Sequence, residues 1–460
     1  MSRRFAKDPV VDSSLRHSVR DGVAYSVMAG AGESYFSAFA IFFKASTTQI
    51  GLLASLPPLV SSLAQLFSAW LSHHKAGRKQ TIIFGAALQA LIWLPLILLP
   101  VLYRDAAVVI IIACIVLYHA AGSVVIPQWS SMMGDLVPEK RRGRYFALRT
   151  RYTSVATFLS LVSAGVVLHF FQQYDLALYG FIGIFGVAAM ARWVSVYHLA
   201  AMVEPQPHPP ALQMPFQEHW WQQIKQSSFL RFSVFFALMQ WAVAIGSPFF
   251  AVYMLRDLHF SYVEFMAISA ASVAMQFLTL NGWGRVGDVF GNRLILVVTG
   301  FAIPLIPVMW LFSTNLWYLL GVQMLSGLMW AGFSLSAGNY LYDLIPPRRR
   351  VSFLSFHNVF TNLGVFIGAL LGGYLGAILP KTLTAGSHQF EWHSVLFGVF
   401  LISAFARLAV ALLFLPRLKE VRDVRHMTAT QLIFRATRFN ALSGMIYDII
   451  AAGKRVKEDK

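Results

Sequence analysis

The run Ala106 to Ile126, AAVVIIIACIVLYHAAGSVVI, holds 21 residues without one Asp, Glu, Lys or Arg. A helix rises about 1.5 Å per residue, so this run is long enough to cross the ~30 Å hydrocarbon core of a bilayer. Runs of the same kind recur at 22–44, 50–71, 80–102, 106–132, 148–171 and 177–201. After a break they resume at 229–255, 262–283, 293–313, 315–342, 353–379 and 394–416. The pattern predicts an all-α integral membrane protein with twelve spans. Composition supports it, since 57% apolar and 12% charged residues, with a mean hydropathy of +0.60, leave too little polar surface to coat a soluble particle of 460 residues.

The break at 203–228 contains Pro205, Pro207, Pro209 and Pro210, which cannot continue a helix, followed by Trp220 and Trp221, which suit an interface. The expected organisation is therefore a terminus at 1–21, a six-helix bundle at 22–202, a linker at 203–228, a second bundle at 229–416 and a tail at 417–460. In the tail, Leu432, Phe439, Leu442, Met445, Ile446 and Ile449 recur at near-helical spacing around Arg435 and Arg438. That pattern reads as an amphipathic helix on the membrane, with a disordered basic tail as the alternative. Residues 1–20 lack the apolar core and cleavage site of a secretory signal, so the first span is expected to stay in the membrane.

The net charge of +17 would suit nucleic acid or a membrane surface, and its placement decides between them. With the N-terminus cytoplasmic, 31 of the 37 Lys and Arg fall on the cytoplasmic side and four, Lys44, Arg104, Arg256 and Lys381, on the other; Arg192 and Arg407 lie inside spans. Such asymmetry is the product of the positive-inside rule and predicts that both termini are cytoplasmic. The basic charge then reports topology, and no nucleic-acid partner is needed.

The two halves repeat. Gly32-Glu33-Ser34-Tyr35-Phe36 answers Gly246-Ser247-Pro248-Phe249-Phe250, and Gly77-Arg78-Lys79 answers Gly291-Asn292-Arg293. Asp135-Leu136-Val137-Pro138 answers Asp343-Leu344-Ile345-Pro346, and Ala191-Arg192 answers Ala406-Arg407. An even number of spans per unit returns each half to the same side, so the halves are expected to be parallel repeats with a substrate site between them near the midplane.

Within the second copy, Gly284-Arg285-Val286-Gly287-Asp288-Val289-Phe290-Gly291-Asn292-Arg293 resembles the signature G-x-x-x-D-x-x-G-x-[RK] of the major facilitator superfamily. The first copy departs from it, with Trp70 at the glycine position and His74 at the aspartate position. The loop Pro138-Glu139-Lys140-Arg141-Arg142-Gly143-Arg144 is similar to loops of bacterial members. The resemblance implies a secondary transporter whose halves rock around a central site, with Gly284, Asp288, Gly291 and Arg293 helping to latch the gate. It also implies residence in a bacterial inner membrane. Members that exchange substrate against protons often carry a glycine-proline motif in the fifth span. Leu161 to Phe171 lacks the proline, which tilts the expectation toward uptake or symport, with drug or metabolite export as the alternative.

Glu33 is the most informative single residue. It lies mid-span with no Lys or Arg within ten residues, and its counterpart is Ser247. An acid in hydrocarbon is costly, and burial disfavours the charged form of a carboxyl, the property a proton-coupling group needs. Glu33 is thus a candidate for protons or substrate, with a helix-to-helix hydrogen bond as the plainer reading. His119 could shuttle protons, although a lone span histidine more often only hydrogen-bonds. Gln128, Gln240, Gln323, Asn339, Asn358 and Asn362, with Trp241, Trp330 and Tyr340, would suit a cavity that reads solutes by hydrogen bonds and aromatic faces; contacts between helices are the alternative. Arg149 and Arg151 could attract an anionic substrate or simply anchor the fifth span.

Arg192 and Arg407 occupy matching positions in both halves, which favours a scaffold or gate role through snorkelling to water or pairing with a carboxylate. Gly364, Gly368, Gly372, Gly373 and Gly376 predict close helix packing and hinge capacity in the eleventh span.

Nothing points to an enzyme, a cofactor or a metal. No G-x-x-x-x-G-K-[ST] phosphate loop occurs, His73-His74 lack nearby ligand partners, and the single Cys114 reads as a packed thiol. The expected protein is a monomeric carrier of a small molecule, driven by protons. A transporter-like receptor or lipid-handling protein that does not cycle is the alternative from another class.

Overall fold

The computed structural model describes residues 8–72, 77–137, 142–204, 228–345, 350–380, 382–385, 388–391 and 394–421. Most of the proline-rich linker, the tail pattern, Trp220, Trp221 and His74 lie outside the described residues.

The first rod is α1 (Pro9–Ala31), a single turn at Glu33–Tyr35 and α2 (Phe36–Phe42). It is followed by α3 (Thr47–Ser72), α4 (Arg78–Leu102), α5 (Ala107–Leu136), α6 (Arg142–Gln173) and α7 (Ala177–Ala200). The second half begins with α8 (Ser228–Gly246), α9 (Phe249–Val252) and a wide turn at Tyr253–Asp257. Then come α10 (Tyr262–Phe290), α11 (Asn292–Ala302), α12 (Leu305–Met309), α13 (Leu316–Leu344), α14 (Arg350–Ile378) and α15 (Leu396–Phe414). Among the described residues, ten helical rods are long and apolar enough to cross a membrane; α1 with α2, and α3, are not among them.

Two details go beyond the sequence pattern. Helix α1 begins at Pro9, ahead of the apolar run that opens at residue 22, because the Asp8 carboxylate accepts from the Val10 N–H at 2.8 Å and Pro9 suits the first helical turn. Hydropathy finds the part of a helix that suits lipid, and the helix itself extends beyond it. In the otherwise helical chain, a loop hairpin of β1 (Thr382–Ala385) and β2 (His388–Glu391), paired antiparallel with Thr382 opposite Glu391, joins α14 to α15.

The repeat is visible in the breaks. The first rod is interrupted after Ala31 and the seventh after Gly246, at the positions that the sequence aligns. Pro248 lacks the N–H a continuing helix needs. Gly32 lies against Trp93, where a Cβ would come within 2.3 Å of the indole. Helix pairing repeats too: α1 packs on α6 and α7 as α8 packs on α14 and α15, and α3 and α4 pack on α5 as α10 and α11 pack on α13. Between the halves, α3 meets α14 and α6 meets α10, two contacts that exchange under the same symmetry.

The halves are joined chiefly at one end, where α2 turns into α3 and α6 turns into α7. Here Tyr35 meets Phe265 with ring centroids 6.3 Å apart, Phe181 meets Tyr262 at 5.4 Å, and Arg256 Nη1 donates to Thr47 Oγ1 at 3.3 Å. The largest apolar cluster runs through both halves at this end, from Met28 and Phe39 to Phe249 and Phe400. At the opposite end the clusters are separate, one around Leu15, Met132 and Tyr145, the other around Phe232, Leu341 and Val410.

Glycine positions explain the close approach. A Cβ on Gly364, Gly368 or Gly372 would lie within 2.6, 2.2 and 2.0 Å of carbonyl oxygens of α8. Gly373 and Gly376 face α3 instead, near Thr47 and Gly51. The glycine series of the eleventh span therefore serves two faces, one within its half and one between halves.

Candidate functional site

Glu33 opens the single turn between α1 and α2, where the chain cannot hold a regular helix. Its carboxylate is half-buried, and Tyr118 of α5 donates its hydroxyl to Oε1 at 2.6 Å. A cavity of about 290 Å³ adjoins it, lined by Glu33, Phe36 and Ser37, by Leu53, Ala54, Pro57, Pro58 and Ser61 of α3, and by Ile115 and His119 of α5. Glu33 and His119, singled out separately in the sequence, thus share one cavity. The His119 ring stands edge-on to Phe36 and Tyr118, with centroids 6.2 and 5.3 Å away. Among the described residues no lysine or arginine forms an ion pair with Glu33.

A second charged cluster lies closer to the separated end. Asp21 of α1 is buried, accepts from Ser195 Oγ at 2.7 Å and stands 3.5 Å from the Arg149 guanidinium. Ser195 in turn accepts from Arg192 Nη1 at 2.7 Å, and the Arg192 guanidinium lies 5.1 Å from the Tyr25 ring centre. Arg149 also donates to the Ser18 carbonyl at 3.2 Å and stacks over Trp129 at 4.5 Å. It can lie flat on α1 because residue 22 is glycine, whose absent Cβ would meet Nη2 at 2.7 Å.

Asp21, Tyr25, Tyr118 and Ser195 are not singled out by the sequence. Spacing places Asp21 in a charged terminus, and only the earlier helix start puts it inside the bundle. Tyrosines and serines in apolar runs carry no signal until a partner faces them.

The remaining candidates disperse. Gln128 is buried and donates to the Ser68 carbonyl at 2.8 Å, so it ties α5 to α3 instead of facing a cavity. Tyr340 is buried and donates to the Lys419 carbonyl at 2.7 Å, a contact at the separated end. In both, a polar side-chain atom is satisfied by backbone. Gln240 keeps a buried Oε1 without a partner, while Trp241 packs under the glycines of α14. Gln323, Trp330, Asn339 and Asn362 are half-buried, and Arg151 and Asn358 are exposed.

Arg192 and Arg407 are 3% and 2% exposed, so neither reaches water as expected of a snorkelling side chain. Arg407 is held by Ser403 Oγ at 3.1 Å and the Val243 carbonyl at 3.3 Å.

At the separated end, the two copies of the basic turn are built alike. The Arg78 N–H, at the start of α4, donates to Glu204 Oε1 at 3.1 Å, and the Arg293 N–H, at the start of α11, donates to Glu420 Oε2 at 2.9 Å. Arg78 Nη1 meets Asp135 at 2.6 Å, and Asn292 Nδ2 meets Asp343 at 3.3 Å. Gly291 takes a φ of 85°, which favours glycine, and Gly284 lies one helical stretch before it on α10. The Asp288 and Trp70 side chains lie outside the described residues.

The profile of the Major Facilitator Superfamily matches residues 22–252 and again 230–451, once per half. An uncharacterized MFS-type transporter, YqjV of Bacillus subtilis, is 26% identical over 141 residues, covering 31% of this chain and 34% of that protein. The class H tetracycline resistance protein of Pasteurella multocida is 30% identical over 123 residues, 26% of this chain and 30% of that one. The chain matches about a third of the length of these relatives. Among solved structures, a mutant of the nucleoside transporter NupG superposes with a TM-score of 0.68 at 13% identity, over 88% of this chain and 100% of that one. A bacterial homologue of the iron transporter ferroportin, in an inward-facing state, gives 0.67 at 14% identity, over 88% and 98%. At such identities these two likenesses concern the fold. With the profile covering both halves, the chain belongs to the Major Facilitator Superfamily.

Proposed function

We propose that this protein is a proton-coupled secondary carrier that moves a small solute by alternating access, with Glu33 as the coupling carboxyl. The observation that carries the reading is the pairing of Glu33 with Tyr118 beside a cavity that also receives His119, at the break of the first rod. Unwound helix near the bundle centre is where carriers of this architecture bind solutes and ions. The second half has Ser247 at the matching position, so the two halves differ in chemistry where they agree in packing.

Counting the first rod and α3 with the ten apolar rods makes twelve spans, and the distribution of Lys and Arg assigns both termini to the cytoplasm. In that orientation the joined end faces outward, and the conformation is open to the cytoplasm. The monomer, the bacterial inner membrane and the expected domain limits belong to the same reading. Uptake with protons is the direction favoured by the fifth span, which as α6 runs without proline. Export is favoured by a different observation, the likeness to proteins named for tetracycline resistance.

The test is proton flux in proteoliposomes loaded with a pH-sensitive dye and challenged with a panel of solutes including tetracycline. At least one solute should drive a flux that Glu33→Gln and Glu33→Ala abolish. Unchanged rate and pH dependence in both variants would remove Glu33 from the mechanism. Solute binding insensitive to pH, without uphill accumulation, would favour a non-cycling receptor.

A further inference from the structure

We propose that a groove between α1, α6 and α7 binds one anionic phospholipid, with Arg20 and the Tyr152 hydroxyl holding its phosphate and the apolar walls holding an acyl chain. The inference does not depend on the coupling role of Glu33.

The groove has a volume of about 320 Å³ and is lined by Val19, Arg20, Val23 and Ala24 of α1, Tyr152 of α6 and Val194 of α7. Both α6 and α7 pack on α1, so α1 forms its floor and the other two helices its rims. The rims face outward, since Tyr152 is 52% exposed and Val194 49%. On α6 the exposed side chains continue from Tyr152 to Val155 and Leu159, and on α7 Val194 belongs with Met190, Trp193 and Tyr197. Exposed apolar stripes that carry Trp and Tyr toward one end are the surface a span presents to lipid near an interface. The occupant of the groove therefore comes from the bilayer.

Charge selects the kind of lipid. Arg20 lies two residues before the apolar run that opens at residue 22, at the edge of the hydrocarbon. The other charged groups of this stretch of α1 are already engaged: Arg16 pairs with Asp12 at 2.9 Å, His17 and His198 meet with Nδ1 atoms 3.0 Å apart, and Asp21 turns to Arg149 and Ser195. Among the described residues no carboxylate pairs with Arg20. A cation at the hydrocarbon edge without a counter-ion takes one from the headgroups, and the lining contains no acid to repel it. In the orientation assigned above, this end lies in the cytoplasmic leaflet, whose anionic lipids attract such groups. A zwitterionic lipid brings its own ammonium toward Arg20, whereas an anionic one brings only the phosphate. A water-soluble phosphate would satisfy Arg20 but leave the walls of Val19, Val23 and Val194 to lipid.

The repeat shows that the packing does not require these polar groups. By the alignment of Gly32 with Gly246, Arg20 answers Val234, and by that of Asp135 with Asp343, Tyr152 answers Phe360. The second half thus uses apolar side chains at both positions, and the cation with its hydroxyl is an addition of the first half.

The test is native mass spectrometry of the purified full chain in detergent, titrated with dioleoyl phosphatidylglycerol or dioleoyl phosphatidylcholine. One phosphatidylglycerol should remain bound, with an affinity about fivefold or more above that of phosphatidylcholine, the order expected of one arginine facing an anionic lipid. Arg20→Gln should bring that ratio below about twofold, and Arg20→Lys should keep part of it, which separates loss of charge from loss of fold. Val194→Trp, which fills the groove, should weaken retention of phosphatidylglycerol. Arg417→Gln, at an exposed arginine just after α15 in the other half, should leave the ratio unchanged. Equal retention of the two lipids, a preference that survives Arg20→Gln, or one that Arg417→Gln removes as fully would overturn the proposal. Displacement of the lipid by glycerol 1-phosphate at equal concentration would assign the site to a soluble anion and overturn it as well. Proton flux that needs Glu33 is read separately, so failure of either inference leaves the other standing.

Discussion

The Tyr118 hydroxyl donates to Glu33 Oε1 at 2.6 Å and thereby joins the centre of α5 to the break in the first rod. A hydrogen bond to a charged group contributes on the order of 1.5–3 kcal/mol, and removing the donor leaves the carboxylate less well solvated. Tyr118→Phe is therefore expected to reduce the Glu33-dependent proton flux in proteoliposomes about tenfold. Unchanged flux would mean that the phenol does not prepare the carboxyl for its part in coupling.

Asp21 is the acid that stands between two arginines, 3.5 Å from Arg149 and linked through Ser195 to Arg192. Taking one partner from a buried charge pair costs about 3–5 kcal/mol, because the other charge stays behind. Arg149 keeps some water, with a side chain 20% exposed, so the lower end applies. Asp21→Asn should lower the apparent melting temperature in detergent by several degrees, and Arg149→Met in the same chain should recover part of the loss. A double variant less stable than Asp21→Asn alone would deny the pair its assigned part.

Gly51 and Gly373 hold the halves together at the joined end: a Cβ on Gly51 would lie 2.7 Å from the Ala369 carbonyl and 3.0 Å from Gly373 Cα. A large side chain there obstructs closure, at a cost of about 2 kcal/mol, which is a ~30-fold shift between states. Gly51→Leu should reduce transport to a tenth or less and leave the melting temperature nearly unchanged. It should also expose a cysteine placed at Ser37 to an impermeant thiol reagent applied from the joined end. A loss of melting temperature as large as the loss of transport would show a folding defect instead.

The glycines of α14 that face α8 should behave differently. A Cβ on Gly372 would stand 2.0 Å from the Ile245 carbonyl, inside one half, while around Gly338 of α13 nothing lies within 4 Å. Gly372→Val is expected to destabilise the fold by about 1–3 kcal/mol, read as lower yield and an earlier thermal transition. Gly338→Ala is expected to be neutral or slightly stabilising, since alanine favours helix over glycine by about 1 kcal/mol. Equal behaviour of the two variants would contradict the packing.

Much of the architecture was legible in the apolar runs, because lipid imposes a length and a composition on every helix that crosses it. The repeat was legible as well: Gly32 and Gly246 mark breaks in both halves, and Arg78 and Arg293 begin helices whose N–H groups meet Glu204 and Glu420. Glu33 stood out because an acid without a neighbouring base is rare in such a run. Its sequence context, however, contains neither Tyr118 nor Pro57.

The sequence by itself determined that this chain lives in a bilayer, that it consists of two like halves, and that Glu33 breaks their likeness. Those conclusions depend on hydropathy and spacing, which are local properties. Only the tertiary structure decided that Asp21 belongs to the bundle, that Gln128 and Tyr340 are bound to backbone, and that Glu33 shares a cavity with His119. Each of these is a meeting of side chains from helices far apart in the chain, and a polar side chain in an apolar run does not reveal whether its partner will be a backbone carbonyl, a charge or an open cavity. The partner is set by which helix faces it once the bundle has packed.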